Sequence, residues 1–569
     1  MNATKPLTIV IVGGVAGGAS AATRARRMNE NAEIILLEKD PDVSFANCGL
    51  PYHIGEEIPN RDSLLVATPE FLRRRFRLDV RTRHEAVSID RQNKRVEVRC
   101  GETSGITWID YDKLILAPGA SPIRPNLDGA DAENVLSLRN LNDTDRIKAI
   151  VDDKQTKNAV VVGAGYIGLE MVEQLAQRGL NTTLVELQPQ VLPLLDPEMA
   201  RPIADEIEAK GVSLLLGRSV TGLVTDGNNQ VTEVSLSDGS TIPTDLVVMG
   251  IGVQPNIQLA VDAGLEIGVT GGIATNDFMQ TSDPDIYAVG DAAEYRFGPT
   301  GKRMRVSLAG PANRAGRLAG QHAATGQSDP MPTVQGTSVV RVFGVSAAMT
   351  GLSRAMAKRM GVDAASVTIV AKNHAGYYPG AEVMTLKLVY QAETGKILGA
   401  QAVGGAGVDK RIDVIATAMQ FEGTARQLSG VDLSYAPPFG SAKDPVHMAA
   451  FAACNQIDGI ETFCDSDANL AGKQVVDVRT AGEIERTPLA GSPLSSESEA
   501  GVFAIPVDEL RERIGELDPS LPTVVSCAVG VRGHIAARIL KQHGFTVANL
   551  SGGATVRNRV NFVSSNEHP

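Results

Sequence analysis

Cysteine is scarce in this chain, with five residues in 569, and they follow no spacing typical of a zinc site. An odd, sparse set of thiols argues against a disulfide-stabilised secreted protein and favours a reducing compartment with one or two functional cysteines. We therefore expect a cytoplasmic protein without a metal centre. The five are Cys48, Cys100, Cys454, Cys464 and Cys527.

Long apolar runs and an excess of positive charge are also missing. No apolar run is long enough to cross a bilayer, and residues 1–6 lead directly into a predicted strand, so we expect no cleavable signal. Asp and Glu number 66 against 54 Lys and Arg, a net charge of −12, which disfavours nucleic acid or an anionic membrane as the main partner. The length of 569 residues predicts about three or four domains.

Glycine is abundant, with 57 residues that cluster in loops after predicted strands. A strand at residues 7–12 runs into Gly13-Gly14-Val15-Ala16-Gly17-Gly18 and a helix at 19–28, and the following strand ends at Glu38. Free N–H groups at a helix N-terminus suit a pyrophosphate, and a carboxylate such as Glu38 suits ribose hydroxyls. Although Val15 replaces the usual second glycine, we predict a dinucleotide site; a simple tight turn is the alternative.

A second copy of this pattern matches the full glycine fingerprint. Gly163-Ala164-Gly165-Tyr166-Ile167-Gly168 follows a strand at 159–162, and a strand at 182–185 ends at Glu186. A carboxylate at that point accepts from the ribose 2′-OH and repels a 2′-phosphate. The sequence therefore favours NADH over NADPH, unless Glu186 is only a solvated charge at a strand end.

The remaining chain predicts two further units. Strands at 367–371, 383–390 and 398–403 with a helix at 411–421 indicate an α+β region. The polar stretch 464–473 is typical of a linker, and 487–501 is typical of a mobile surface insertion. The last segment predicts an α/β unit with strands at 474–478, 523–526 and 547–550 and helices at 507–514 and 533–543.

Several motifs together resemble the FAD/NAD(P)-dependent pyridine nucleotide–disulfide oxidoreductases over about residues 7–453. They are the two glycine loops, Ala117-Pro118-Gly119, and the stretch 281–291 that ends at Asp291. The resemblance implies FAD in the first module, NAD(P)H in the second, and Asp291 on the flavin's ribityl chain. The residues it assigns to cofactors are Gly13, Gly14, Ala16, Gly17, Gly18, Glu38, Lys39, Asn47, Pro118, Gly119, Gly163, Gly165, Ile167, Gly168, Glu186, Gly252, Gly290 and Asp291.

Ser-Phe-x-x-Cys-Gly at residues 44–49 is similar to the single-cysteine branch of that family. Two-cysteine members carry a second cysteine five residues after Cys48, where this chain has His53. The branch comprises NADH oxidases, NADH peroxidases and coenzyme A disulfide or persulfide reductases. Its oxidases and peroxidases place a histidine in the first glycine loop, where Ala16 stands here, so O–O cleavage lacks its acid. Sulfur is the favoured substrate atom, with an NADH oxidase or peroxidase as the alternative.

The third region is similar to the dimerisation domain of coenzyme A disulfide reductases. In that family a tyrosine pair from the opposite subunit lies beside the reactive cysteine, and Tyr377 and Tyr435 match its spacing. The resemblance implies a homodimer and a phenol that protonates a departing thiolate; aromatic packing in the interface is the alternative. It also implies coenzyme A contacts from Arg27, Ser44 and Asn47, with Arg24, Arg26 and Arg27 as a cation cluster.

Cys527-Ala528-Val529-Gly530-Val531-Arg532-Gly533 follows a strand and opens a helix, so backbone N–H groups and the helix dipole favour a thiolate or persulfide anion. With Asp477-Val478-Arg479 and Glu483, this loop resembles a rhodanese active site closed by Arg532. The usual Gly-His-Ile after the acid is replaced by Thr487-Pro488-Leu489. A degenerate rhodanese fold used for docking is the alternative.

The whole chain thus resembles coenzyme A-disulfide reductase–rhodanese fusions, which act as NADH-dependent persulfide or polysulfide reductases. The fold class expected is α/β, with two Rossmann-like domains, an α+β dimerisation domain and a rhodanese domain. The predicted boundaries are 1–150 and 256–330 for FAD, 151–255 for NAD(P)H, 331–455 for dimerisation and 465–569 for rhodanese.

The resemblance also implies a relay. Electrons pass from NADH through FAD to Cys48, held as a mixed disulfide with coenzyme A; hydrosulfide leaves with a proton from Tyr377 or Tyr435; and Cys527 carries sulfane sulfur. Small thiols, persulfides, polysulfide and coenzyme A are the expected partners. A non-enzymatic flavoprotein scaffold that senses NADH is the rival class.

Overall fold

The computed structural model describes residues 5–101, 105–491 and 501–560. The chain divides into two compact units. One comprises Met1–Leu187 and Val212–Gly336, and the other comprises Gln188–Gly211 and Thr337–Pro569.

The first unit contains a five-stranded parallel sheet that combines distant parts of the chain. Its strand order is Ile286–Ala288, Lys113–Leu116, Thr8–Val12, Glu33–Glu38 and Asp79–Thr82. Helices Ala16–Met28 and Ala309–Thr325 pack against each other. They approach so closely that a Cβ at Gly316 would lie only 2.1 Å from the Gly17 carbonyl oxygen. The first dinucleotide module is therefore completed by a strand from near residue 286.

A second five-stranded parallel sheet lies in the same unit, in the order Ser213–Leu216, Asn181–Glu186, Asn158–Val162, Leu246–Met249 and Val135–Leu136. Helix Tyr166–Gln177 follows its glycine loop. Because Val135–Leu136 pairs with Val247 and Val248, the edge of this sheet precedes the boundary predicted at residue 150.

The other elements of the first unit are short helices and mostly antiparallel strands. The helices are Leu50–Ile54, Pro69–Phe76, Leu141–Asp152 and Gln258–Asp262. The strands are His84–Asp90, Arg95–Cys100, Ile106–Asp110, Ala120–Pro122, Val220–Thr225, Val231–Leu236, Thr241–Pro243, Val253–Pro255, Glu294–Arg296 and Arg303–Arg305.

The second unit begins with an antiparallel sheet of five strands. Their order is Ser338–Val342, Val345–Gly351, Ile397–Gly404, Val383–Tyr390 and Ala365–Lys372. The core of this sheet is formed by Leu386, Leu388, Ile412, Ile415 and Ala449, the last three from helices Val408–Gln420 and Pro445–Ile457. Helices Pro197–Ala209, Arg354–Arg359 and Ala425–Ser429 belong to the same unit.

A five-stranded parallel sheet closes the second unit. Its order is Phe463–Cys464, Val547–Leu550, Thr523–Ser526, Gln474–Asp477 and Val502–Ala504. Helices Ala481–Arg486, Leu510–Arg513, Val531–Gln542 and Gly553–Arg557 accompany it.

Two expectations for this sheet require comment. The linker prediction for residues 464–473 is wrong, because Cys464 pairs with Leu550 in the sheet and Leu470 is buried in its core. The predicted insertion at 487–501 falls mostly on 492–500, outside the described residues.

All five cysteines lie in the described ranges, and no disulfide joins any two of them. Within those same ranges, no helix has both the length and the hydropathy to cross a bilayer.

Candidate active sites

A cavity of about 1130 Å³ opens at the carboxyl ends of the first sheet. The tight turn at its floor requires glycine, because Gly13 has φ +95° and a Cβ there would lie 2.1 Å from the Ala117 carbonyl oxygen. Of the residues assigned to FAD, the cavity is lined by Gly13, Glu38, Lys39, Asn47, Pro118 and Gly119. The other loop residues, Gly14, Ala16, Gly17 and Gly18, lie at or just before the start of helix Ala16–Met28.

Glu38 and Glu186 perform the same structural task in the two modules. Glu38 accepts from the Gly14 N–H at 2.8 Å, and Glu186 accepts from the Ala164 N–H at 2.6 Å. Burial raises the pKa of Glu38, and the backbone N–H donors oppose that shift. Each carboxylate therefore fixes its own glycine loop.

The glycines of the second loop divide into two groups. A Cβ at Gly163 would lie 2.5 Å from the Gly250 carbonyl oxygen, and one at Gly168 would lie 1.9 Å from that of Gly163. These two glycines are required by the protein's own packing. A Cβ at Gly165 would meet nothing within 4 Å, and the same holds at Gly290. Open space beside a bare backbone fits a ligand that approaches the chain closely.

Gly165→Ala tests this distinction. We expect the variant to fold as well as the parent, because its methyl enters open space, and to raise the KM for NADH about tenfold by obstructing the pyrophosphate. Gly163→Ala is the matched control, since its φ of +101° and its backbone contact predict lost stability instead. Thermal denaturation and steady-state kinetics separate the two, and an unchanged KM in folded Gly165→Ala would contradict the assignment.

Cys48 is exposed in the short helix Asn47–Gly49, beside Asn47 at the cavity wall. Although its surface is accessible, neighbouring protein atoms screen the thiol from part of the surrounding water and so raise its pKa; Glu170 and Asp291 raise it further, and Arg139 opposes them. Arg139 pairs with Asp291 at 3.2 Å, and its carbonyl accepts from the Asn47 amide at 3.3 Å. A bound cation or an electron-accepting ring would change these electrostatic contributions. The fraction of Cys48 present as thiolate therefore depends on what the cavity binds.

The sequence alone missed Arg139 and Glu170. Arg139 belongs to no motif, and only folding brings it from 92 residues away to the loop of Asn47. Glu170 lies in helix Tyr166–Gln177, just after the second glycine loop, but nothing local in the sequence indicates that its charge acts on Cys48.

The residues assigned to coenzyme A lie near the first loop. Ser44 adopts φ +48°, and its N–H donates to the Gly14 carbonyl at 2.8 Å. Arg27 is exposed, with its guanidinium 4.9 Å from the centre of the Phe76 ring. Arg26 is buried and donates to backbone carbonyls, so it does not belong to a free cation cluster.

Other predicted residues are placed as follows. Ile167 and Gly252 are exposed in the second module. His53 is buried with Nδ1 2.6 Å from the Ile58 carbonyl oxygen, which agrees with a structural role.

Tyr377 and Tyr435 come together although 58 residues separate them, with their hydroxyl oxygens 3.2 Å apart. Both rings are well exposed, at 76% and 50%. The hydrogen bond raises the pKa of Tyr377, which keeps its proton at neutral pH. Tyr378 instead packs edge-on against His374 at 5.7 Å. The pair thus presents a proton donor at the surface of its unit.

Cys527 is buried at the start of its loop and accepts a hydrogen bond from the Gly530 N–H at 3.1 Å. Arg532 closes the loop through a bidentate ion pair with Glu483, in which its two terminal nitrogens donate to the carboxylate oxygens at 2.6 and 2.9 Å. This pair holds the pKa of Glu483 well below its usual range. The sulfur thus lies just before helix Val531–Gln542, with a backbone N–H directed at it.

Three family models match successive parts of the chain. Residues 7–316 match the pyridine nucleotide-disulphide oxidoreductase family, 337–445 match its dimerisation domain, and 465–556 match the rhodanese-like domain. Together with the observed sheets, these matches confirm the predicted α/β fold class and the order of its parts.

Relatives are similar over most of their length. Coenzyme A disulfide reductase of Staphylococcus aureus (strain bovine RF122 / ET3-1) is 36% identical over 445 residues, which is 78% of this chain and 99% of the relative. The reduced CoADR-RHD structure of Bacillus anthracis is 42% identical with TM-score 0.92, covering 98% of each chain. An NAD-dependent persulfide reductase from A. fulgidus is 35% identical with TM-score 0.87, covering 97% of this chain and 100% of that one. This chain therefore belongs to the pyridine nucleotide-disulphide oxidoreductase family.

Proposed function

We propose that this protein is an NADH-dependent flavoprotein reductase of coenzyme A persulfide, polysulfide or coenzyme A disulfide, and that its rhodanese domain delivers sulfane sulfur. The observation that carries the proposal is Cys48, a free and exposed thiol beside the first cavity. His53 stands where a second cysteine would close a disulfide. A thiol without an internal partner must exchange with sulfur from outside the chain.

The residues present fit both cofactors. Gly13, Glu38 and Pro118 line a cavity of about 1130 Å³, and the open backbone at Gly290 leaves room for FAD. Gly165 and Glu186 would hold NADH in the second module. FAD supplies, when bound, a two-electron carrier between a nicotinamide and a thiol.

Cys48 does the sulfur chemistry in this proposal. Its thiolate attacks the inner sulfur of a coenzyme A persulfide; the S–S bond of the persulfide breaks, hydrosulfide leaves, and a mixed disulfide between Cys48 and coenzyme A forms. Two electrons and one proton, the equivalent of the hydride that NADH gives up, then cleave the mixed disulfide to the Cys48 thiolate and the coenzyme A thiol. Arg139 and Asp291, paired at 3.2 Å, set the charge around that sulfur.

Tyr377 and Tyr435 supply the proton with which the outer sulfur of a persulfide anion leaves as hydrosulfide. In the homodimer that the dimerisation-domain match supports, the pair of one protomer would serve the cysteine of the other. Their mutual hydrogen bond raises the pKa of Tyr377, so the phenol donates only to a strongly basic leaving sulfur.

Replacing Tyr377 by phenylalanine tests this role. We expect kcat with coenzyme A persulfide to fall about a hundredfold, with a smaller loss for substrates whose leaving thiolate is less basic. Tyr378→Phe is the matched control, because that ring packs on His374 and should leave kcat unchanged. Equal losses in the two variants would mean that the aromatic rings only support the interface.

Anaerobic NADH consumption separates the proposed activity from the NADH oxidase alternative. Polysulfide or coenzyme A persulfide should oxidise NADH at full rate without oxygen, whereas an NADH oxidase would consume no NADH under those conditions. The intact protein, denatured without reductant, should also show the added mass of one coenzyme A, which a reductant removes. A protein that turns over only in air and retains no coenzyme A would overturn the proposal.

A further inference from the structure

A line of buried polar contacts lies behind the Cys527 loop. Asn549, in strand Val547–Leu550, is 1% exposed and donates through Nδ2 to the Gly530 carbonyl at 3.1 Å and to Glu461 Oε1 at 2.9 Å. The other oxygen of Glu461 lies 2.7 Å from His534 Nδ1. Because both neighbours of Nδ2 are acceptors, the orientation of the Asn549 amide is fixed.

Gly530 connects this line to the reactive sulfur. Its N–H donates to Cys527 Sγ at 3.1 Å, while its carbonyl accepts from Asn549 and from the His534 N–H at 2.9 Å. Its φ of +97° is a conformation that only glycine adopts easily. The N–H lies in the peptide before Gly530 and the carbonyl in the peptide after it, so contacts that hold the carbonyl restrain the backbone torsions of Gly530 and, through them, the direction of the N–H that faces the sulfur.

A second observation concerns the far side of the Asn549 amide. Oδ1 of Asn549 is buried and has no hydrogen-bond partner among the described residues. A Cβ at Gly533 would lie 2.2 Å from that oxygen, so glycine at 533 leaves the space that the amide occupies. A buried unpaired oxygen beside the buried Glu461 carboxylate disfavours folding compared with apolar packing. Such an arrangement behind a nucleophile indicates a task at that nucleophile.

We propose that Asn549 is a positioning residue for Cys527: held by Glu461, it restrains the backbone torsions of Gly530 so that the Gly530 N–H remains directed at the sulfur. The N–H stabilises the thiolate and then the anionic outer sulfur of the Cys527 persulfide. The inference rests on the proposed sulfur-carrying role of Cys527. Glu461 precedes the rhodanese-like stretch, so the segment that joins the two domains takes part in the site.

Asn549→Ala in the full chain tests the proposal with two readouts. We expect the pH midpoint of Cys527 alkylation by iodoacetamide, read on its peptide by mass spectrometry, to rise by about one unit. Sulfur transfer from thiosulfate to cyanide should fall about tenfold. Reduction of coenzyme A disulfide, which uses Cys48, should stay within about twofold of the parent.

Gly533→Ala supplies an independent variant, because its methyl displaces the Asn549 amide without removing it. It should reproduce both effects in the parent and add less than about twofold in the Asn549→Ala background. Gly515→Ala, where a Cβ meets nothing within 4 Å, is the matched control. If Asn549→Ala does not fold, the comparison of Gly533→Ala with Gly515→Ala decides.

Two results would overturn the assignment: an unchanged alkylation midpoint in folded Asn549→Ala, or equal effects of Gly533→Ala in both backgrounds. The alkylation midpoint requires no turnover. A parent without Cys527-dependent sulfur transfer, but with the midpoint shift intact, would therefore refute the proposed function and leave the positioning role standing.

Discussion

Replacing Cys48 with serine is expected to abolish persulfide and disulfide reduction, by about a thousandfold or more, while NADH still bleaches the flavin at its normal rate. The variant loses the sulfur that forms the mixed disulfide, but the glycine loops and Glu38 do not involve that side chain. Anaerobic stopped-flow absorbance separates the two half-reactions. The released coenzyme A should also vanish from the denatured protein.

Cys100→Ser is the control for this experiment, since Cys100 ends strand Arg95–Cys100 in a different sheet. Full turnover in Cys48→Ser would favour the non-enzymatic flavoprotein scaffold. Persistent turnover restricted to air would instead support oxygen reduction.

Cys527→Ala should have the opposite effect: it should remove sulfur transfer and retain the reduction of small persulfides. We expect sulfur transfer from thiosulfate or polysulfide to fall at least about a hundredfold, because the sulfur that accepts from Gly530 is gone. Reduction of small persulfides such as coenzyme A persulfide should keep much of its rate, because it requires only Cys48. Parallel assays with each donor, with and without added coenzyme A, measure the difference.

Cys454→Ala is a suitable control, because Cys454 is also buried but packs in the core beside helix Val408–Gln420. If the Cys48 and Cys527 variants lose activity equally on every substrate, the assignment of reduction to Cys48 and of sulfur transfer to Cys527 is wrong.

Local patterns in the sequence predicted much of the fold and part of the sites. The two glycine loops, their closing carboxylates and the Cys527 loop are contiguous motifs whose backbone geometry determines the residue types. Strand Val383–Tyr390 was predicted to the residue because it is long and apolar. The pairing of Tyr377 with Tyr435 followed from resemblance, and the structure brings the two hydroxyls together.

What the sequence could not predict depends on contacts between distant segments. Arg139 and Asn549 belong to no sequence motif. Their roles can be inferred only from the residues that folding places beside them. Strands Val135–Leu136 and Phe463–Cys464 contain two residues each, too few to show a period of two. Likewise, residues 464–473 resemble a polar linker in sequence, but Leu470 is buried in the core beside a sheet.

Helix Pro197–Ala209 restricts how this protein can be dissected. It is encoded between strands of the second sheet, yet it belongs to the unit formed by Gln188–Gly211 and Thr337–Pro569. Lys387 of that unit forms buried ion pairs with Asp196 at 2.7 Å and Glu198 at 2.6 Å. A fragment ending at residue 336 would leave those carboxylates without their cation, at a penalty of about 3–5 kcal/mol. Truncation there would therefore destabilise the N-terminal fragment, and the two proposed activities are better separated by point substitution in the full-length polypeptide.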